Sequence, residues 1–224
     1  MKFKLKKVYG TLFLASVLLF FVFLNSPISF AESTKDIISV TDNVTGETIF
    51  LDEKDIEIKK IEHEIKSVPY SNSSADVSRL NIVEGYEIFI PEEKLNLNTS
   101  ISPFSTESGS KNEGGVSAVL KVDYDVNSTN EKVRLNKVYG SWTPKSSNYK
   151  LSERMVTAHS GVIWGKKITK YPSSNSFSYK TGWGYNDRVF DYNSAPRAQS
   201  SAKITIVGMS GSSHTIKINF VYSI

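Results

Sequence analysis

Three histidines and a scatter of serines and carboxylates are the residues of this 224-residue chain that could do chemistry, and their spacing tests each possibility. A zinc peptidase needs two histidines one helical turn apart, with a glutamate beside the first. IEHEIKS supplies His63 and Glu64, but Ser67 stands where the second histidine belongs. The chain has no cysteine and only His159 and His214 besides, so a closed zinc site would need carboxylates to complete it. His63 therefore reads as a solvated surface residue, and His159 and His214 as strand-end residues with local hydrogen bonds. A serine nucleophile on a strained elbow needs G-x-S-x-G. Gly208-Met209-Ser210-Gly211-Ser212 lacks the final glycine and reads better as a turn between two strands. The segment DYDVNSTNE sets Asp123, Asp125 and Asn127 at positions 1, 3 and 5 of a calcium loop, making them a weak calcium candidate. Ser128 and Arg134 occupy the places where that loop requires Gly and Glu. Aspartates two apart on a strand also share one face, whereas glycoside hydrolysis needs carboxylates on both sides of a bond. These spacings imply no cofactor and lean away from an enzyme.

A different constellation suits binding. Lys166, Lys167, Lys170, Tyr171, Tyr179, Lys180, Trp183, Tyr185 and Arg188 fall within 23 residues. Cations interleaved with aromatic faces can hold a carbohydrate, an anionic polymer such as teichoic acid, or an anionic membrane surface. The binding set taken from this run is Lys166, Lys167, Lys170, Tyr171, Lys180, Trp183, Tyr185 and Arg188. The competing explanation is a sheet whose aromatics point inward and whose lysines cover a solvated face.

The elements that must position these residues are strands. VSAVLKVDYDV alternates from Val116 to Val126, and the apolar parity of KVRLNKVYGSW changes between Leu135 and Val138, which predicts a bulge near Asn136–Lys137. Alternating runs follow at Tyr149/Leu151 and Met155/Thr157, Val162/Trp164, Phe177/Tyr179, Trp183/Tyr185, Ala202/Ile204/Ile206 and His214/Ile216/Ile218/Phe220/Tyr222/Ile224. About seven strands separated by turn signals predict an all-β domain, a β-sandwich or small barrel, over residues 116–224. Upstream, residues 32–94 read as a small, partly ordered acidic region. It comprises a hairpin in IISVTDNVTGETIFL, a short helix in LDEKDIEIKKIEHEIKS, and a strand in RLNIVEGYEIFIP. For the helix, Asp52 is a capping residue and Ile58, Ile61 and Ile65 form one apolar face, although Ile56 and Ile58 also alternate. A polar, Gly/Ser-rich stretch at 95–115 reads as a linker.

Charge follows the same division. Residues 32–108 hold 7 basic and 16 acidic residues, and residues 109–224 hold 16 basic and 7 acidic. At the N-terminus, MKFKLKK leads into the apolar run Leu12–Leu24 and then Ser29-Phe30-Ala31, the pattern of a signal peptide over 1–31 cleaved between Ala31 and Glu32. Without its four lysines the chain has 23 basic and 23 acidic residues. The pI of about 9.0 thus belongs to the leader and gives no reason to expect a nucleic-acid partner. Cysteine-free export suits a Gram-positive bacterium, since disulfides are common in eukaryotic secreted domains. The resulting expectation is a secreted, non-enzymatic β-domain protein that binds an anionic or carbohydrate component of a cell envelope, shielded by its acidic segment. The alternative is a bacteriocin- or toxin-like effector made with an acidic pro-region. Nothing in the composition specifies an oligomeric state.

Overall fold

The computed structural model describes residues 38–65, 80–95, 114–162, 164–187, 194–209 and 212–222. The expected leader, almost all of the 95–115 linker, and Arg188 lie outside these residues. In chain order the elements are β1 (Ile38–Asp42), β2 (Thr48–Leu51), β3 (Glu57–Ile65), β4 (Leu80–Pro91), α1 (Glu92–Leu95), β5 (Gly115–Val126) and β6 (Lys132–Pro144). There follow β7 (Tyr149–His159), β8 (Lys167–Lys170), β9 (Ser176–Lys180), β10 (Asn186–Asp187), β11 (Arg197–Ile206) and β12 (Ser213–Val221). The fold is all-β, with two antiparallel sheets. One runs β2-β1-β12-β11-β7-β8, and the other β10-β6-β5-β4-β3 with β9 also paired to β6.

Alternation explains why the sheets face each other. All six even-numbered residues of β5, from Val116 to Val126, are buried, as are His214, Ile216, Ile218 and Phe220 of β12 and Tyr222 just beyond it. These two rows meet in one core, where Tyr124 lies edge-on to Tyr222 at 4.8 Å and Phe220 contacts both Tyr86 and Tyr124. The expected bulge is present in β6. Lys137 pairs with Asp123 and Leu135 with Tyr124, leaving Asn136 as the extra residue. Val133 and Leu135 before it, and Val138 and Trp142 after it, all reach the core. Close packing against β5 also fixes two small residues. A Cβ on Gly85 of β4 would stand 2.0 Å from the Leu120 carbonyl oxygen, and one on Gly140 of β6 would stand 1.9 Å from that of Val119.

Three local expectations are corrected. The segment expected to be helical is a turn at Asp52–Ile56 followed by β3, which pairs with β4 from Glu57↔Phe89 to Ile65↔Asn81. Asp52 does cap, accepting the Lys54 N–H at 2.8 Å, but what it caps is the turn. A short isolated helix is marginal, whereas the edge of β4 offers a full ladder of backbone partners. In β7, Val156 and Ala158 are buried instead of Met155 and Thr157, because Glu153 (φ 45°) and Arg154 together oppose Ala202 in a second bulge. Val162 and Trp164 belong to no strand; they sit in the turn between β7 and β8.

The linker marks a change in composition, not a division of hydrogen bonding. The acidic segment supplies β1, which pairs with β12, and β4, which lies between β3 and β5. The described residues all fall within one compact unit. The acidic and basic segments share both sheets and one core, which removes the expected role of the acidic segment as a separable shield.

Candidate functional site

The chain from Ser160 to Asp187 leaves the first sheet through β8 and joins the second through β9 and β10, so it runs along one lateral edge of the sandwich. Its first part is a tight turn. The Ser160 N–H donates to the Lys166 carbonyl at 2.9 Å, and the Lys166 N–H returns to Ser160 Oγ at 2.8 Å. Gly161, at φ 88°, takes the left-handed backbone that the reversal demands. The turn is tied outward by Val162 N–H to the Ser194 carbonyl at 2.7 Å, and by Asn186 Nδ2 to the Ser160 carbonyl at 3.0 Å. It carries Trp164 almost fully into solvent, at 94 % exposure. Just beyond, Ile168 packs on the core while Lys166, Lys167, Lys170 and Tyr171 stay exposed.

The structure therefore gathers part of the expected binding set and scatters the rest. Lys166, Lys167, Lys170 and Tyr171 (76 % exposed) surround β8, and Trp164 joins them. Lys180 lies on β9 directly opposite Lys137. Trp183 and Tyr185, expected on a strand, lie between β9 and β10 in no strand; Trp183 is nonetheless a core residue at 9 % exposure, so packing wins there over ligand binding. Tyr185 carries the Arg134 guanidinium 4.8 Å above its ring. The ammonium groups of Lys166, Lys167, Lys170 and Lys180 make no ion pair among the described residues.

The calcium trio does not converge. Asp123 accepts from Asn81 Nδ2 at 2.8 Å and from Asn136 Nδ2 at 3.0 Å. Asp125, fully buried, accepts from Asn81 at 2.9 Å and from Nε and Nη2 of Arg134. Asn127 Oδ1 instead takes the N–H groups of Glu131 and Lys132, closing the β5–β6 hairpin. Among the described residues no group of three or more His, Cys, Asp or Glu side chains is placed to hold a metal.

Two histidines occupy environments that the sequence did not reveal. Asp42 and His214 pair across β1 and β12, with Ser212 Oγ 3.4 Å from His214 Nε2. His214 Nδ1 has no hydrogen-bond partner among the described residues, and Asp42 Oδ1 accepts the amides of Val44 and Thr45. The carboxylate bond that orients a catalytic imidazole is thus not made. His159 lies on the outer face of the first sheet, where it lines a cleft of about 170 Å³ with Thr157, Lys167, Arg197, Gln199 and Asn219. The register sets Arg197 opposite His159 on one side and Lys167 opposite it on the other. A larger cleft of about 340 Å³, on the outer face of the second sheet, holds Glu57, Lys59, Glu87 and Lys145. Its charges compensate one another, with Lys59 and Glu87 paired at 3.8 Å.

Burial, then Arg197 and Lys167, push the His159 imidazole below its ordinary value of 6.5. Burial does the same to His214 against the opposing pull of Asp42. Both rings therefore resist protonation more in the folded than in the unfolded chain, which takes up protons as pH falls through about 6.5. Stability is expected to be greatest above that value and to decline toward pH 5. A urea midpoint that is unchanged or higher at pH 5 than at pH 7.5 would contradict this; His214→Gln and His159→Gln should each flatten the slope.

No family model matches the chain, and neither the curated proteins nor the solved structures contain a match.

Proposed function

We propose that this is a secreted, non-enzymatic protein that holds an anionic polymer of the cell envelope against the β8 edge. The observation that carries the reading is the combination there of Lys166, Lys167 and Lys170, none ion-paired among the described residues, with the exposed rings of Trp164 and Tyr171. An aromatic face stacks on a sugar ring while neighbouring cations attract the polymer's anionic groups. Lysines also protect an open strand edge from pairing with another chain, but edge protection gives no reason for two large rings in solvent beside them. A membrane surface is less well matched, because the exposed rings alternate with lysines instead of forming one continuous apolar patch. An effector released from an acidic pro-region has less support, since β1 and β4 are integral to the two sheets.

The test is retention of the exported chain, Glu32–Ile224, on purified cell wall with and without its anionic polymers. Replacing Lys166, Lys167 and Lys170 by Gln should weaken retention roughly tenfold at low salt, at up to about 1 kcal/mol per exposed charge contact. Added salt should weaken the original protein more than the variant. Trp164→Ala should weaken both in proportion. Equal retention of all forms, or retention independent of the anionic polymers, overturns the reading. Binding to anionic vesicles but not to wall would assign the surface to a membrane instead.

A further inference from the structure

We propose that the cleft on the outer face of the second sheet is a subsite for one uncharged sugar ring, stacked on Phe89 and held by Glu57, Glu87, Lys59 and Lys145. It lies on a different sheet from β8 and goes beyond the reading of that edge as a polyanion-binding surface.

Strand register builds the cleft. Glu57 of β3, Phe89 of β4 and Ser117 of β5 fall in one row across three strands, and Lys59 and Glu87 pair in the next. These residues alternate with Ile88, Ile90, Val116 and Ala118, whose side chains are buried in the core, and so stand on the outer face. Lys145 closes the far side, with its N–H donating to the Gly115 carbonyl at 3.0 Å. Together these side chains line about 340 Å³.

The Phe89 ring is set in place by Gly115. A Cβ on Gly115 would stand 2.9 Å from Phe89 Cε2 and 3.0 Å from Phe89 Cζ. Gly115 also takes φ 140°, a backbone conformation that strains other residues. The phenyl ring is therefore seated against bare backbone, half-buried, and its open part lines the cleft. A ring fixed before the ligand arrives loses little entropy on binding.

The rim selects the chemistry of the occupant. A hydroxyl both donates and accepts, whereas a carboxylate only accepts and an ammonium only donates. A rim offering both kinds side by side matches the adjacent hydroxyls of a sugar, while the sugar's C–H face lies on the phenyl ring. Two glutamates and two lysines give this lining no net charge. A charged ligand gains from one pair what it loses to the other. An extended peptide is poorly served, because β4 and β5 are paired on both sides and a peptide strand binds through main-chain groups at an open edge. The volume sits at the lower end of the roughly 300–1,000 Å³ of small-molecule sites. That suits a single ring, with the rest of a glycan in solvent.

The experiment titrates the isotope-labelled exported chain, Glu32–Ile224, with the methyl glycosides of glucose, galactose, mannose and N-acetylglucosamine, read by amide NMR shifts. At least one glycoside is expected to shift the Phe89 and Ser117 amides saturably, with an affinity that added salt leaves unchanged. Phe89→Ala should weaken that binding roughly tenfold, and Phe89→Tyr, which keeps a ring, should preserve it. Glu57→Ala, at an exposed position where folding is not at stake, should weaken it about fivefold. No saturable shift at Phe89 and Ser117 with any of the glycosides overturns the proposal, as does binding undiminished in both alanine variants. Acetate or ethylammonium moving the same amides as strongly would assign the cleft to a charged ligand and overturn it too. The variant with Lys166, Lys167 and Lys170 replaced by Gln should bind the glycoside like the original protein. Loss of the glycoside shifts in that variant would move the sugar to the β8 edge and overturn this site. Glycoside binding without wall retention supports the cleft and overturns the surface reading, and wall retention without glycoside binding does the reverse.

Discussion

Residues 114–224 expressed alone are expected not to fold, although they contain the whole of the basic, strand-rich sequence. Among the described residues, ten of the 34 buried apolar side chains lie between Ile38 and Leu95, among them Ile38, Val40, Ile88 and Ile90. At about 1.5–3 kcal/mol for each such side chain, their loss exceeds the roughly 5–15 kcal/mol by which a typical domain is stable. The backbone also loses pairing partners. β5 is paired with β4 along its full length, from Leu80↔Val126 to Pro91↔Gly115, and β12 is paired with β1 from Ile38↔Ile218 to Asp42↔His214. Both would become long open edges, and such edges recruit other chains. The fragment should therefore be insoluble, or lack dispersed NMR shifts and near-UV circular dichroism. A soluble fragment with the native spectrum would show that β1–β4 are dispensable, and would restore the acidic segment as a removable companion. If β1–β4 are instead supplied as a separate chain, co-expression should rescue solubility.

The second large effect is expected at Asp125. Its carboxylate is fully buried on the outer face of the second sheet, beneath Arg134, which itself lies over the Tyr185 ring. Asp125→Ala leaves the guanidinium without this acceptor and the Asn81 amide with Asp123 alone. Removing one member of a buried ion pair costs about 3–5 kcal/mol, and the partial exposure of Arg134 places the expectation at the lower end. In a domain of this size about 3 kcal/mol corresponds to a fall in Tm of roughly 6–12 °C. Asp123→Ala, which breaks hydrogen bonds to two neutral amides, should cost less, about 1–2 kcal/mol. Thermal melts of the two variants in parallel decide the point. Equal small effects would mean that Asp125 is accessible to water, and would reopen the calcium reading.

Much of this fold was legible because strand alternation is a local signal with a global consequence. The bulge at Asn136 could be read from a change of parity alone, since both sides of the bulge must face one core. The bulge in β7 could not. Met155 and Thr157 are as apolar as the alternation template asks, and only the opposing β11, with Ala202 facing two residues, shows that the phase shifts at Glu153. β3 misled for the opposite reason, because Ile58, Ile61 and Ile65 satisfy a helical period while the decisive partner, β4, arrives 23 residues after Glu57. At the site, the sequence found the cations of β8 by their density. It read Trp164 as an inward strand residue, although Gly161 and Gly165 on either side are a turn signal. His159 and Arg197 lie 38 residues apart, and only the register of β7 with β11 makes them neighbours.

Gly85 and Gly140 press on β5 from its two sides, against the carbonyls of the adjacent residues Leu120 and Val119. Any larger side chain at either position would prise a neighbouring strand away from the middle of the sheet. Evolution can exchange almost every inward residue here for another of similar bulk, but it has no such freedom at these two points. Descendants of the same ancestor, diverged until overall similarity has vanished, should therefore keep one glycine about 35 residues before the midpoint of β5 and another about 20 after it. That interval, combined with the parity change four residues ahead of the second glycine, is a fingerprint with which remote kin of this chain can be sought.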